Sequence, residues 1–98
     1  MTYTFTSSAA AELNETVDYY EASRAGLGSE FAVEVYATIE RILDNPRLSR
    51  RLTRTIRRKN LRRFPYGLVY RITGDHVQIG AVMHLHRRPG YWIKRFKD

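Results

Sequence analysis

Apolar residues recur along the first half of the chain with the period of amphipathic helices. In residues 13–20 and 31–43, apolar side chains follow one another every three or four positions, mostly with polar and acidic residues between them. Side chains at this spacing lie on one face of a helix, where they can pack on a hydrophobic core. The pattern therefore predicts two helices, each with one buried face.

Residues with capping chemistry mark the ends of both helices. Ser7 and Ser8 offer hydroxyl oxygens to the free amides of a first turn, and Gly26 accepts the left-handed conformation that ends a helix. We expect the second helix from residue 28 to Asp44, because Pro46 disfavours helical geometry in the residue before it. The short connection between the two predicts an antiparallel helical hairpin.

The second half of the chain changes to patterns typical of strands. Apolar runs at 68–72 and 77–83 flank a turn at 73–76 that contains Gly74 and Asp75. Both residues tolerate the backbone angles of a tight turn, so this segment predicts a β-hairpin.

Two weaker strands complete the predicted sheet. Residues 3–6 alternate aromatic residues with threonine, and residues 55–63 form a weakly patterned strand. The basic residues 47–54 are expected to form a loop, and residues 89–98 a C-terminal tail. The expected fold is α+β, in the order β-α-α-β-β-β, with the helical hairpin packed on a small, mostly antiparallel sheet within a single domain of residues 1–98.

The periods of 3.6 in the helices and 2 in the strands also select a core. We expect burial of Leu13, Val17, Phe31, Val35 and Ile39 against Val69, Ile79 and Val82.

Charge is divided unevenly along the chain. Residues 1–44 hold eight acidic and two basic side chains, a net charge of −6, whereas residues 45–98 hold two acidic and fifteen basic ones, a net charge of +13. Such a basic region favours an anionic partner, and charge alone leaves nucleic acid and an acidic protein segment both open. A solvated basic surface without a partner is the simpler alternative.

Composition excludes several kinds of chemistry. The chain has no cysteine, so it has no disulfide, thiolate metal site or cysteine nucleophile. The N-terminus has neither a signal-peptide pattern nor a long apolar run, from which we expect a cytoplasmic protein that does not contact a membrane. His84 and His86 share a strand face without an evident third ligand, so no metal or other cofactor is expected.

A cationic and aromatic cluster follows the hairpin. If the protein acts by binding, this cluster is expected to contact the target, because Trp, Tyr and Arg dominate binding hot spots. The predicted target-binding residues are His84, Arg87, Arg88, Tyr91 and Trp92. The same cluster, with His86, also contains the types that metal-independent RNA cleavage needs, namely a base for the 2′-hydroxyl, a proton donor and cations.

Five blocks of sequence carry a family resemblance. They are residues 11–13 with 18–21, residues 26–31, residues 42–46, the segment RFPYGLVYR at 63–71, and His84 with Arg87, Pro89 and Trp92. In this order they resemble the RelE/ParE superfamily of toxins from type II toxin–antitoxin modules. The resemblance covers nearly the whole chain and implies the fold and a toxin function of that superfamily.

The RelE branch of the superfamily cleaves messenger RNA on the ribosome with basic residues of the central sheet. Gly67 and Leu85 stand where that branch has arginines, and Asn60 stands where it has a lysine. If the chain nevertheless cleaves RNA, the resemblance and the cluster implicate Arg58, His84, Arg87 and Tyr91.

The ParE branch resembles the chain better, through Phe64, Pro65 and Tyr66 and the motif from His84 to Trp92. Members of that branch are associated with poisoning DNA gyrase by binding. The resemblance thus implies a gyrase-binding toxin rather than an enzyme, with a ribosome-dependent mRNA endoribonuclease, whose partners are the ribosome and mRNA, as the alternative.

The superfamily also implies a protein partner. Its toxins are neutralised by an antitoxin that wraps a helix and an extended segment around them, and an acidic tail would complement the basic half of this chain. The predicted antitoxin-binding residues are Arg57, Arg58, Arg62 and Arg63.

Overall fold

Two helices cover one face of a five-stranded sheet in the computed structural model, which describes residues 1–96. The helices are α1 (Ser7–Ser23) and α2 (Leu27–Asp44), and the strands are β1 (Thr2–Phe5), β2 (Arg50–Arg51), β3 (Ile56–Asn60), β4 (Tyr66–Thr73) and β5 (His76–His84). The strand order is β1-β5-β4-β3-β2, with β1 parallel to β5 and the other pairs antiparallel. The α+β fold is confirmed. The prediction of a loop over residues 47–54 is wrong at β2, whose two arginines carry no apolar pattern from which a strand could be recognised.

Both helices start slightly earlier than predicted, whereas α2 ends at Asp44 as predicted. Thr6, rather than Ser7 or Ser8, caps α1, and its hydroxyl oxygen accepts a hydrogen bond from the Ala9 N–H at 3.2 Å. Helix α2 begins at Leu27 because Gly26 adopts a left-handed φ of 88° as its N-cap. No helix within residues 1–96 is long and apolar enough to cross a membrane.

The main core lies between the helices and the sheet. It contains the predicted Leu13, Phe31, Val35, Ile39, Ile79 and Val82, with Val17 partly buried against it. Val69 is also fully buried, but in a second core on the opposite face of the sheet. The assignment of Val69 to the helix face is wrong, because alternation along β4 sends Leu68 and Tyr70 to the helices and Val69 away from them.

A β-bulge at Gly80 explains how Ile79 and Val82 both face the helices although they are three residues apart. In the β4–β5 ladder Val69 lies opposite Ala81 and Tyr70 lies opposite Ile79, which leaves Gly80 without a partner. The extra residue reverses the faces of the rest of β5. Ala81 and Met83 therefore join the second core.

The C-terminal segment covers the second face of the sheet. Trp92 and Phe96, the latter in a 3₁₀ helix (Ile93–Phe96), pack on Ile56, Val69, Ala81 and Met83. A Cβ atom at Gly80 would lie 2.2 Å from Cζ of Phe96, so the glycine permits this contact. The predicted tail is thus an ordered part of the core as far as Phe96, and its last two residues lie outside the described range.

Glu12 of α1 joins the helices to the bulge and to the C-terminal segment. Strand β1 ends at Phe5, opposite Ile79, so the edge of β5 beyond that point has no neighbouring strand. Glu12 Oε1 accepts hydrogen bonds from the Val82 N–H at 2.9 Å and from Arg95 Nη1 at 2.8 Å. Arg95 also donates to the Gly80 carbonyl at 3.0 Å, so the bulge carbonyl and the nearby Val82 N–H both have partners.

We expect Glu12→Gln to lower the free energy of unfolding by about 2 kcal/mol, because hydrogen bonds to a charged group would be replaced by weaker ones and Arg95 would lose its ion pair. The measurement is urea unfolding at neutral pH. Glu15→Gln is the matched control, since Glu15 is exposed on the same helix. Equal effects of the two substitutions would contradict the role assigned to Glu12.

Candidate functional site

The end of the β4–β5 hairpin forms a tight polar corner. His84 lies opposite Tyr66 in the ladder, and the two ring centroids are 5.0 Å apart. The His86 N–H donates to Nδ1 of His84 at 3.1 Å, so a neutral His84 carries its proton on Nε2. Within residues 1–96, no three His, Asp or Glu side chains group as metal ligands.

Arg87 and Tyr91 are held together beside Glu12. The Arg87 guanidinium carbon lies 3.6 Å from the Tyr91 ring centroid, and that of Arg95 lies 4.8 Å from it. Both arginines form ion pairs with Glu12, at 3.6 Å and 2.8 Å. The Tyr91 hydroxyl is buried, and this burial, followed by the nearby Glu12 carboxylate, raises the pKa of Tyr91 to about 12. Tyr91 is therefore neutral near pH 7.

Trp92 does not offer a contact surface. Its side chain is only 1% exposed, and its indole N–H donates to the Met83 sulfur at 3.3 Å in the second core. The prediction that Trp92 presents an apolar ring to a target is wrong, because the tail folds back over the sheet. Arg88 and His86 are exposed, and His84 is half-buried.

The four residues of the nuclease hypothesis do not converge. Arg58 lies opposite Val69, whose side chain is in the second core, and directly paired residues share a face of a sheet. His84 lies opposite Tyr66, whose ring contacts Phe31 of α2 at 5.3 Å. Arg58 and His84 therefore point to opposite faces of the sheet. Only Arg87 and Tyr91 are in contact with each other.

Two of the four predicted antitoxin-binding arginines have roles within the fold. Arg57 Nη1 donates to the carbonyls of residues 47 and 49 at 2.7 and 2.8 Å, which holds that segment against β3. Arg63 pairs with Glu30 at 2.8 Å, and this hydrogen bond holds the pKa of the Glu30 carboxyl below its usual value. The backbone N–H groups of Arg62 and Arg63 both donate to Glu34 of α2. Side chains of Arg58 and Arg62 have no hydrogen-bond or ion-pair partner within residues 1–96.

Two surfaces were not found from the sequence. One is an apolar surface at the edge of the sheet, where β1 has no second neighbouring strand among residues 1–96. Phe5 contacts Tyr36 there with ring centroids 6.4 Å apart, and Tyr36 and Val33 of α2 are 47% and 70% exposed. Val33 is an apolar residue on the polar face of α2, and this departure from the amphipathic pattern is the sequence feature that could have indicated the surface.

The other surface is basic and lies at the opposite edge of the sheet. It consists of Arg50, Arg51, Arg54, Arg58 and Lys59, and is named the β2–β3 basic patch below. The sequence shows the arginines of residues 47–54, but a segment predicted to be a loop gave no reason to expect them on one surface with β3. The two-residue strand β2 places its arginines on that surface by pairing with β3.

Fold and surfaces together define a small basic α+β protein with an open sheet edge at β1, an exposed apolar surface beside it and a polar corner at the end of β5. A family model described as the ParE toxin of the type II toxin–antitoxin system parDE matches residues 3–89, and the chain belongs to that family. It is a toxin of a type II toxin–antitoxin system, and an antitoxin is its partner.

Structural comparison agrees with this assignment at the level of the fold. The chain is similar to a solved structure described as a chromosomal ParDE TA system from P. aeruginosa, with a TM-score of 0.76 and 20% sequence identity. The similarity covers 88% of this chain and 97% of the other. Comparison with curated protein sequences gave no significant match.

The raised pKa of Tyr91 predicts an alkaline titration. The neutral phenol stabilises the fold below its unfolded-state pKa near 10, and this contribution is lost as the pH rises through the folded-state pKa of about 12. Burial also raises the pKa of Tyr20 and Tyr70, so we expect absorbance titration of the phenolates to lose a step of one tyrosine near pH 12 in Tyr91→Phe while those two remain. Tyr19→Phe, at a tyrosine that is 66% exposed, is the control and should leave that step in place.

Proposed function

We propose that this toxin poisons DNA gyrase by binding to it in the cytoplasm and performs no chemistry of its own. The observation that carries the proposal is the separation of Arg58 from His84 on opposite faces of the sheet. A metal-independent ribonuclease needs its base, its proton donor and its phosphate-binding cation within reach of one phosphodiester. The arrangement of these side chains does not provide such a site.

The chemical state of Tyr91 also favours a binding protein. A general base must be deprotonated in a useful fraction of molecules near the working pH, whereas the pKa of Tyr91 is raised to about 12. Its hydroxyl is buried and cannot readily reach a substrate proton. Tyr91 and Arg87 are therefore assigned to holding the C-terminal segment against Glu12.

The proposed gyrase contact is the polar corner at the end of β5. Arg88 and His86 are exposed, and His84 lies beside them, so they can be desolvated together by a partner. Arg87 contributes through the exposed half of its side chain, and Tyr91 by holding the Arg87 guanidinium against its ring. Trp92 supports this corner from the second core and is removed from the contact set.

The proposed antitoxin contacts lie at the apolar edge and on Arg62. An extended segment can add to the outer edge of β1, while apolar side chains of the antitoxin cover Tyr36 and Val33. Acidic residues of the same partner would pair with Arg62, whose side chain has no partner within residues 1–96.

We expect His86→Ala/Arg88→Ala to weaken inhibition of gyrase supercoiling by at least roughly tenfold, since two exposed donors of the corner are removed. The control is Arg24→Ala, which removes an exposed arginine whose ion pair with Glu30 contributes little. Circular dichroism checks that all variants are folded.

Purified toxin is also added to translating ribosomes. Cleaved messages together with unaffected gyrase would overturn the proposed target and restore the ribonuclease alternative. Gyrase inhibition that the double variant leaves unchanged would retain the target and remove the corner from the site.

We expect charge to set the association rate constant of the antitoxin and the apolar contact to set its dissociation rate constant. The association rate constant should fall roughly tenfold or more between about 0.05 and 0.5 M salt, because screening weakens long-range steering. Arg62→Glu should lower this rate constant, whereas Tyr36→Ala should mainly raise the dissociation rate constant. Stopped-flow fluorescence with the cognate antitoxin measures both. An association rate indifferent to salt would contradict the proposed role of charge.

A further inference from the structure

Most arginines outside the β2–β3 basic patch have partners in the fold. Glu30 pairs with Arg24 and Arg63, and Glu12 pairs with Arg87 and Arg95. In contrast, no side chain of the patch forms a hydrogen bond or ion pair within residues 1–96, and the patch contains four arginines and one lysine. Glu12 and Glu30 thus neutralise four arginines elsewhere, whereas no ion pair within residues 1–96 reaches the patch.

The pairing of β2 with β3 sets like charges directly against each other. Arg50 lies opposite Arg58, and Arg51 lies opposite Arg57. Like charges at directly opposed positions destabilise a sheet. This arrangement is unfavourable for the isolated toxin and becomes favourable when an anion lies between the guanidinium groups.

The backbone around the patch holds these arginines in place. Arg57 donates to the carbonyls of residues 47 and 49, which fixes the segment that leads into Arg50. The stem of Arg58 lies across Gly67, where an added Cβ would be 2.9 Å from its Cγ. Arg50 and Arg58 border an open cavity of about 320 Å³. Its lining residues are Ser49, Arg50, Arg58, Lys59 and Asn60.

The chemistry of this cavity favours phosphate over an acidic peptide. Its lining residues are all polar or cationic, whereas protein-binding sites have an apolar centre. Guanidinium groups bind phosphate oxygens in a bidentate geometry. Arg50 and Arg58 lie directly opposite each other and therefore on one face of the ribbon, where both guanidinium groups can contact the same phosphate.

We propose that the β2–β3 basic patch binds the phosphodiester backbone of a nucleic acid, with Arg50 and Arg58 as its central contacts. This inference goes beyond the proposed function and does not depend on it, because a toxin that spares gyrase can still bind nucleic acid through this patch. A duplex DNA and a single-stranded RNA both offer the required chemistry.

The experiment measures binding of the full chain to labelled duplex DNA and to single-stranded RNA by fluorescence anisotropy over a salt series. The logarithm of the association constant should fall linearly with the logarithm of the salt concentration. The slope should be about −0.9 per phosphate contact for duplex DNA and about −0.7 for the single strand. Arg50→Gln/Arg58→Gln should weaken binding at least roughly tenfold. It should also reduce the magnitude of the slope by the equivalent of about one to two phosphate contacts. The more tightly bound probe identifies the source of the phosphates.

Three controls separate the patch from net charge and from folding. Arg62→Gln/Arg88→Gln removes the same charge from exposed arginines outside the patch and should change affinity far less. Arg50→Gln/Arg58→Gln should melt at the same or a higher temperature than the wild type, because an opposed like-charge pair is removed. Gly67→Ala, which displaces the Arg58 stem without changing charge, should also weaken binding.

Three results would overturn the proposal. The first is equal loss of affinity in the two double variants, which would mean that net charge alone attracts nucleic acid. The second is absence of binding to either probe at about 0.15 M salt. The third is tighter binding of a poly-glutamate peptide, lost in Arg50→Gln/Arg58→Gln, which would reassign the patch to an acidic protein.

Discussion

The hydrogen bonds of Glu12 are the contacts on which both faces of the sheet depend. Beyond Ile79, β5 has β4 on one side and no strand on the other, and its bulge at Gly80 leaves backbone groups to be satisfied there. One carboxylate accepts from Val82 and binds Arg95, which in turn donates to the bulge carbonyl. A single side chain of α1 thereby fixes the bulge and the segment that covers the second core.

The bulge also decides which residues are available for function. Because the bulge reverses the faces of β5, His84 lies on the helix side of the sheet, while Met83 and Ala81 pack against Trp92 on the other side. The same reversal separates His84 from Arg58. These two side chains therefore cannot reach one group from the same face of the sheet.

Ion pairs within the fold, as well as the number of charges, decide where positive charge remains on the surface. Acidic residues of the helices bind arginines such as Arg63, which pairs with Glu30, whereas no ion pair within residues 1–96 joins a helix carboxylate to the short β2–β3 ribbon. Three surfaces with different chemistry result: an apolar edge beside β1, a polar corner at the end of β5 and the β2–β3 basic patch. They lie on different parts of the sheet, so a neutralising partner and a target need not compete for every contact.

The sequence by itself determined the two amphipathic helices, the β4–β5 hairpin, the α+β class and the charge division, because these depend on local periodicity, turn residues and composition. Its family blocks also indicated the toxin family that the family model confirms. Only the tertiary structure decided the face of Val69, the burial of Trp92 and the strand at Arg50–Arg51. Each of these depends on contacts between residues distant in the chain: the bulge sets the register, the tail finds an apolar face, and β2 exists only because β3 lies beside it.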